Sequence, residues 1–291
     1  MKLSHLILII LLSAATAFAV GRYVTPKSEQ AAAHKETAFE RVTRTGTLRC
    51  GYVVMPPQLG RDPNNGAFYG IAYDIMTEAA KRLGLNVEWT EEVNFITMAE
   101  GFKTGRYDSF CFTAYRWIPS ARAMDFTKPL FYMTTNAYVR ADDHRFDGDL
   151  NTINTPSVKV AMVDGEATVA IRAEEFPNSG VFTMPQNTDM GILLESINAH
   201  KADVALLNPL QVMPYLLSHP GKIRRIEGHK PIRAWSLGFG FGKGEYDLVA
   251  MFNLVIDEMH TDGTIDKVLD KYEAVPNSFV RIKSPTTSVK D

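Results

Sequence analysis

The densest run of side chains able to do chemistry is Tyr115-Arg116-Trp117, with Thr113 just before it and Ser120 just after. A guanidinium can grip a carboxylate or phosphate with paired hydrogen bonds. The flanking rings offer large contact area at little rotamer cost. A second set, Tyr52, Gln58 and Tyr69, brackets a Pro56-Pro57 turn. A third lies far downstream: Glu166 and Thr168 within Asp164-Gly165-Glu166-Ala167-Thr168, and Asn208 before Pro209. Free N–H groups at a helix start attract anions, yet Glu166 brings negative charge to the same place. It either repels an anion or receives a cation or a hydroxyl. Plainer roles stay open: Tyr52 and Tyr69 as core aromatics, Tyr115 and Trp117 as a half-exposed loop, Glu166 and Asn208 at helix caps.

These sets suit recognition better than bond-making. No nucleophile elbow or triad order is present. The seven histidines are scattered without paired spacing, so no metal site is expected and no cofactor is implied. Gly238-Phe239-Gly240-Phe241-Gly242-Lys243-Gly244 fits neither the Walker A spacing nor the dinucleotide fingerprint, and no Ser or Thr follows its lysine. It reads as a strand whose small residues face a close neighbour. Met213-Pro214-Tyr215-Leu216-Leu217 reads as part of a core helix.

The elements that must position these groups alternate. Strands are expected at Thr47–Val53, Asn86–Trp89 and Tyr107–Phe112, the last placing Thr113 to Ser120 in the loop beyond a strand's carboxyl end, where ligands sit in open α/β sheets. Between them comes a helix capped by Asp74 and ended by Gly84, with Ile75, Met76, Ala79, Ala80 and Leu83 on one face, then a second helix around Ile96–Lys103. After a crossing strand at Asn136–Val139 the pattern restarts. Strands Val158–Val163, Val181–Met184 and Val204–Leu207 alternate with helices Thr168–Glu175 and Met190–Ala199. Ala234–Phe241 then leads back, and a helix carries Leu248, Phe252, Val255 and Met259 on one stripe. Two rounds of alternation argue for two α/β lobes. The divisions expected are 44–135 plus 235–275 for lobe 1 and 136–234 for lobe 2, hinged near Thr134–Asn136 and Pro231–Trp235, with a loose tail over 276–291.

Asp125-Phe126-Thr127-Lys128-Pro129, together with residues 44–52, 70–85 and 261–272, resembles the solute-binding proteins of bacterial ABC importers, in the branch that usually binds amino acids. The likeness runs from about Arg44 to Tyr272. It implies the two-lobed periplasmic binding protein fold: each lobe a mostly parallel sheet flanked by helices, the two joined by a two-strand hinge. It also implies a small-molecule ligand, an ABC permease as partner, monomeric action and no catalysis. Closure on a ligand that touches both lobes would do the work.

The chain departs from that pattern at the ligand. The resemblance implies an Arg five residues before the Asp-Phe pair as the α-carboxylate clamp, and Ser120 stands there. The threonines of the Gly-Thr-Thr turn match Glu166 and Ala167. The aspartate that would hold an α-ammonium is Asn208, and the aromatic after the Pro-Pro pair is Gln58. A ligand other than a standard α-amino acid is therefore expected, small and polar or aromatic, with any anionic group facing Arg116. Two other readings stay open: an exported dehydratase acting on cyclohexadienyl acids with Glu166 as general acid, and a sensory or accessory module.

With 291 residues the chain is long enough for two medium domains, and a formal charge of −2 gives no electrostatic reason to expect nucleic acid. Lys2, an apolar run from Leu6 to Leu12 and Ala17-Phe18-Ala19 form a secretory signal, 1–19, with cleavage expected after Ala19 and an uncleaved anchor as the alternative. Residues 20–43 read as a tether, so the body is expected in the periplasm. Export permits a Cys50–Cys111 disulfide, since the resemblance makes their strands neighbours. A bond directly across paired strands fits Cα spacing awkwardly, so buried free thiols are favoured.

Overall fold

The computed structural model describes residues 36–95, 97–186, 188–274 and 278–283, apart from the side chain of Pro119. The expected signal segment and residues 20–35 of the tether lie outside the described residues. Helix α1 (Ala38–Thr45) leads to β1 (Thr47–Tyr52), a hairpin of β2 (Gly60–Arg61) and β3 (Phe68–Tyr69), α2 (Ile71–Arg82) and β4 (Asn86–Glu92). Next come α3 (Met98–Thr104), β5 (Ser109–Tyr115), a 3-10 turn over Ile118–Arg122, β6 (Met124–Phe126) and the long β7 (Phe131–Arg140). The second round is β8 (Lys159–Val163), α4 (Ala167–Glu175), β9 (Gly180–Met184), α5 (Met190–Asn198), β10 (Val204–Leu207), α6 (Pro209–Ser218) and β11 (Ile223–Arg225). The chain returns through β12 (Arg233–Gly242) and finishes with α7 (Tyr246–Thr261), α8 (Thr264–Tyr272) and β13 (Phe279–Val280).

The strand order is β4-β1-β5-β12-β7-β10-β8-β9. Parallel pairs of β1 with β4 and β5 form one lobe's sheet, and parallel pairs of β8 with β9 and β10 form the other's. β7 serves both. Its first half, Phe131–Thr135, pairs antiparallel with β12, and Asn136–Tyr138 pairs with β10. A strand with different partners along its length is how one chain passes between two sheets. Thr134, Thr135 and Asn136 are buried at that crossing, and Asn136 Oδ1 has no hydrogen-bond partner among the described residues.

Apolar residues segregate accordingly. The first lobe has one cluster around Phe110, Phe131, Phe239, Phe241 and Phe252, to which the α7 stripe of Leu248, Phe252, Val255 and Met259 contributes as expected. Each such side chain contributes roughly 1.5–3 kcal/mol on burial. The second lobe has one cluster on each face of its sheet, because residues alternate sides along a strand. Each lobe also buries one aspartate between two arginines. Asp108 accepts from Arg41 and Arg49, and Asp143 from Arg140 and Arg145.

Four local expectations change. β5 starts at Ser109 and runs through Tyr115, so Thr113 and Tyr115 belong to the strand rather than the loop. Tyr107 and Asp108 are held just ahead of it, the phenol by the Met98 carbonyl and the carboxylate by the arginines. Helix α2 is capped by Gly70, not Asp74. Gly70 has φ 120°, and a Cβ there would sit 2.7 Å from the Gln58 carbonyl oxygen. Asp74 lies in the first turn, where its carboxylate accepts from Tyr272 Oη (3.0 Å) and Lys271 (2.8 Å), while Tyr272 Oη accepts from the Gly70 N–H.

Cys50 and Cys111 form a disulfide. Cys50 pairs with Ser109, so Cys111 lies diagonal to it on the same face, and the 5.4 Å Cα separation suits a bridge. The objection concerned a directly opposed pair, and the register is offset by two. Lastly, the segment read as a loose tail returns to the sheet, with Phe279 and Val280 pairing with Met133 and Tyr132. The glycine run of β12 packs as anticipated: a Cβ on Gly240 would lie 2.7 Å from Met124 Sδ.

Candidate functional site

Strands β1, β5, β8 and β10 end at Tyr52, Tyr115, Val163 and Leu207. The third sequence set begins just past two of these ends, with Glu166 and Asn208, while Tyr52 and Tyr115 close the other two. One hydrogen bond brings the ends of the two lobes together: Asn208 Nδ2 donates to Tyr115 Oη at 3.1 Å. Both ends of the Asn208 side-chain amide are engaged, since Oδ1 accepts from the Gln211 backbone N–H, and the Asn208 backbone N–H in turn donates to Gln211 Oε1. This is a capping box with Asn at its head. Two residues on, Leu210 packs in the first lobe's cluster rather than the second's.

Tyr115 is fixed from several sides. Its ring lies 5.5 Å from that of Trp235, and its hydroxyl is 3.8 Å from Met133 Sδ. Burial pushes its pKa up to about 12, opposed by the Asn208 hydrogen bond and reinforced by the charge of Glu166. Glu166 is therefore felt by the hydroxyl across the cleft. Its carboxylate has no hydrogen-bond or ion-pair partner among the described residues, and it does not cap α4. The residue is exposed as a whole, yet neighbouring groups crowd its carboxyl enough that desolvation raises its pKa. Those neighbours, Val163, Thr168, Met190, Leu193, Leu207 and Gln211, pack closely and leave no space between them for a water molecule.

The first lobe's remaining candidates are more self-contained. Thr113 Oγ1 and Gln58 Oε1 are 2.5 Å apart, both residues buried, the hydroxyl donating. Tyr52 is buried edge-on to Phe68 and Trp89 at 4.9 and 5.9 Å. Tyr69 is exposed on the hairpin, its ring covering Gly60. Arg116 extends across Gly238 toward Ser236 Oγ, 3.5 Å away, and meets no carboxylate at ion-pair distance among the described residues. Burial lowers its pKa. Trp117 is 44% exposed and Ile118 89%, while Ser120 Oγ donates back to the Trp117 carbonyl within the same turn.

The structure thus joins Tyr115, Asn208 and Glu166 in one place and Gln58 with Thr113 in another. It leaves Tyr69, Trp117 and Ser120 apart from both. Gln211 and Leu210 are not among the candidates read from the sequence, and Trp235 enters there only as a bound of the expected hinge. Asn208 followed three residues later by Gln211 is a readable capping signature; nothing local marks Leu210 or Trp235.

The model of the bacterial extracellular solute-binding proteins, family 3, matches residues 48–274. The chain belongs to that family. Among its relatives, a probable histidine-binding protein of Campylobacter jejuni is 26% identical over 204 residues, covering 70% of this chain and 76% of that one. A probable amino-acid ABC transporter-binding protein of Haemophilus influenzae is 23% identical over 239 residues, covering 81% and 88%. Among solved structures, an ancestral amino acid-binding protein described as a precursor of cyclohexadienyl dehydratase aligns with TM-score 0.64 at 22% identity, covering 81% of this chain and 99% of that one. The unliganded, open L-cystine solute receptor of Neisseria gonorrhoeae aligns with TM-score 0.63 at 23% identity, covering 82% and 97%. The family 3 fold is thus the two-lobed one. Among the described residues no helix is long and apolar enough to cross a membrane.

Proposed function

We propose that this family 3 protein is a periplasmic receptor that captures a small molecule between its lobes and presents it, as a monomer, to an ABC permease in the inner membrane. The ligand is not a standard α-amino acid. Lobe 1 comprises 44–135 and 235–275, lobe 2 comprises 136–234, and the hinge lies near Thr134–Asn136 and Pro231–Trp235. The site is drawn from Tyr52, Gln58, Tyr69, Thr113, Tyr115, Arg116, Trp117, Ser120, Glu166, Thr168 and Asn208.

One observation carries the ligand reading. The Asn208 amide, at the position the resemblance assigns to an ammonium-binding aspartate, is neutral and already engaged by Gln211 and Tyr115. An ammonium at that position would meet a neutral amide in place of the aspartate, and removing one partner of a buried ion pair costs about 3–5 kcal/mol. That is several orders of magnitude in affinity once a second missing clamp, at Ser120, is added.

A thermal-shift screen across amino acids, polyamines, aromatic acids and sugars tests the proposal. A ligand at 100 times its dissociation constant adds about 2.7 kcal/mol of stability. A standard α-amino acid giving the largest shift, with micromolar binding by calorimetry, would overturn the ligand reading.

One observation favours a second reading. Burial shifts the Glu166 pKa upward, the direction a general acid requires, and an ancestral cyclohexadienyl dehydratase shares the fold at TM-score 0.53. Turnover of prephenate or arogenate by the purified chain would establish it in place of transport.

A further inference from the structure

The two residues of β13 stand at the head of two cross-strand lines that end in the candidate site. In one, Phe279 pairs with Met133, and Met133 pairs with Trp235. Met133 Sδ lies 3.8 Å from the Tyr115 hydroxyl, and the Trp235 ring lies 5.5 Å from the Tyr115 ring. In the other, Val280 pairs with Tyr132, and Tyr132 pairs with Ser236. The Ser236 carbonyl accepts from the Arg116 backbone N–H at 2.9 Å, and its hydroxyl stands 3.5 Å from Arg116 Nη1. Directly paired residues share a face of a sheet, and neighbours along a strand alternate faces. The C-terminal strand therefore backs Tyr115 along one face and Arg116 along the other.

It is also fastened where it can hold β7. The Ile226 and Ile232 N–H groups donate to the Ala137 and Thr135 carbonyls, which point the same way from β7, so β11 and β12 share one edge of that strand. β10 and β13 share the other, on either side of the crossing at Thr134 and Thr135. Phe279 is buried with its ring 5.3 Å from that of Phe131, and its N–H donates to Glu273 Oε1. The Arg281 guanidinium then bridges Asp270 and Glu273 at the end of α8. Without this strand β7 would carry an exposed edge next to its crossing, and exposed backbone hydrogen bonds open most readily. Resting on the binding-protein reading above, which makes Tyr115 and Arg116 ligand groups, we infer that the C-terminal strand is a positioning element of the ligand site. Phe279 and Val280 fix β7 against β12, and through the two lines they fix Tyr115 and Arg116.

The test uses the full chain without ligand, labelled with carbon-13 at the methionine methyls, and reads NMR spectra together with amide hydrogen exchange. The Met133 signal is identified by its loss in Met133→Leu. Arg281→Ala loosens the fastening without removing a core side chain. It should shift or broaden the Met133 signal, while Met162 in the second lobe and Met259 on α7 stay where they are. Amides of Phe131–Thr135 should exchange faster by at least about tenfold, the scale of one lost hydrogen bond, with β1 and β8 unchanged. Arg281→Lys, which keeps the charge, should recover most of both effects. Phe279→Ala should give the same pattern more strongly. An unmoved Met133 signal in both Arg281→Ala and Phe279→Ala would overturn the inference. So would faster exchange spread evenly over β1, β5 and β7, since that reports a less stable lobe rather than a released strand. Neither readout needs a ligand, so this failure is distinct from a blank metabolite screen, which would remove the receptor reading instead.

Discussion

The two walls of the cleft are built on opposite principles. On the first lobe, the candidate side chains are largely satisfied by their own lobe: Thr113 by Gln58, Tyr52 by Phe68 and Trp89, Ser120 by Trp117. On the second, Asn208 reaches across the cleft and Glu166 reaches nothing among the described residues. A pre-satisfied wall offers shape and aromatic surface but little new hydrogen bonding. An unsatisfied one offers charge. Asn208 and Leu210 both make contacts from the second lobe to the first.

The contrast can be broken at its base. Asp108 holds α1 and β1 against the start of β5 through Arg41 and Arg49. Asp108→Ala leaves two guanidinium groups unpaired, and urea denaturation should show a loss of about 3 kcal/mol, at the lower end for a buried pair because the arginines retain some solvent.

Next in size is Leu210→Ala. It should cost about 2 kcal/mol of interlobe packing. The expected signature is a larger radius of gyration by small-angle X-ray scattering rather than a lost fold. An unchanged radius would show that the apolar contact does not bias closure.

Asn208→Ser is a sharper probe, because serine still caps α6 but is too short to reach Tyr115. Its cost should match that of Tyr115→Phe, about 0.5–1.5 kcal/mol for one hydrogen bond. In a double-mutant cycle the two changes should couple by the same amount.

The smallest effect is on pH dependence. The Tyr115 and Tyr138 hydroxyls have pKa values raised to about 12 by burial, against about 10 in an unfolded chain. Between those values the folded chain binds more protons than the unfolded one, so their contribution is fully present below pH 10 and is lost as pH rises through 12. Denaturation midpoints should fall between about pH 10 and 12, and less so in Tyr115→Phe.

Much of this could be read along the chain. The strand and helix alternation, the α7 stripe and the glycine strand all follow from periodicity and side-chain size, which act over a few residues. Tyr115, Glu166 and Asn208 were picked out for the same kind of reason, each standing at or just past the end of an apolar run. Other features depended on register. The diagonal offset of Cys50 and Cys111, the start of β5 at Ser109 and the docking of Phe279–Val280 on β7 are set by how strands align, and no local pattern encodes that alignment.

The sequence alone determined the α/β alternation and the likeness to the solute-binding proteins, because periodicity, turn residues and motif positions are written in neighbouring letters. Only the tertiary structure decided which of the candidate side chains find hydrogen-bond partners. Asn208 is claimed by Gln211 and Tyr115, while Glu166 is claimed by no described neighbour, and hydrogen-bond satisfaction depends on what folding brings within about 3 Å.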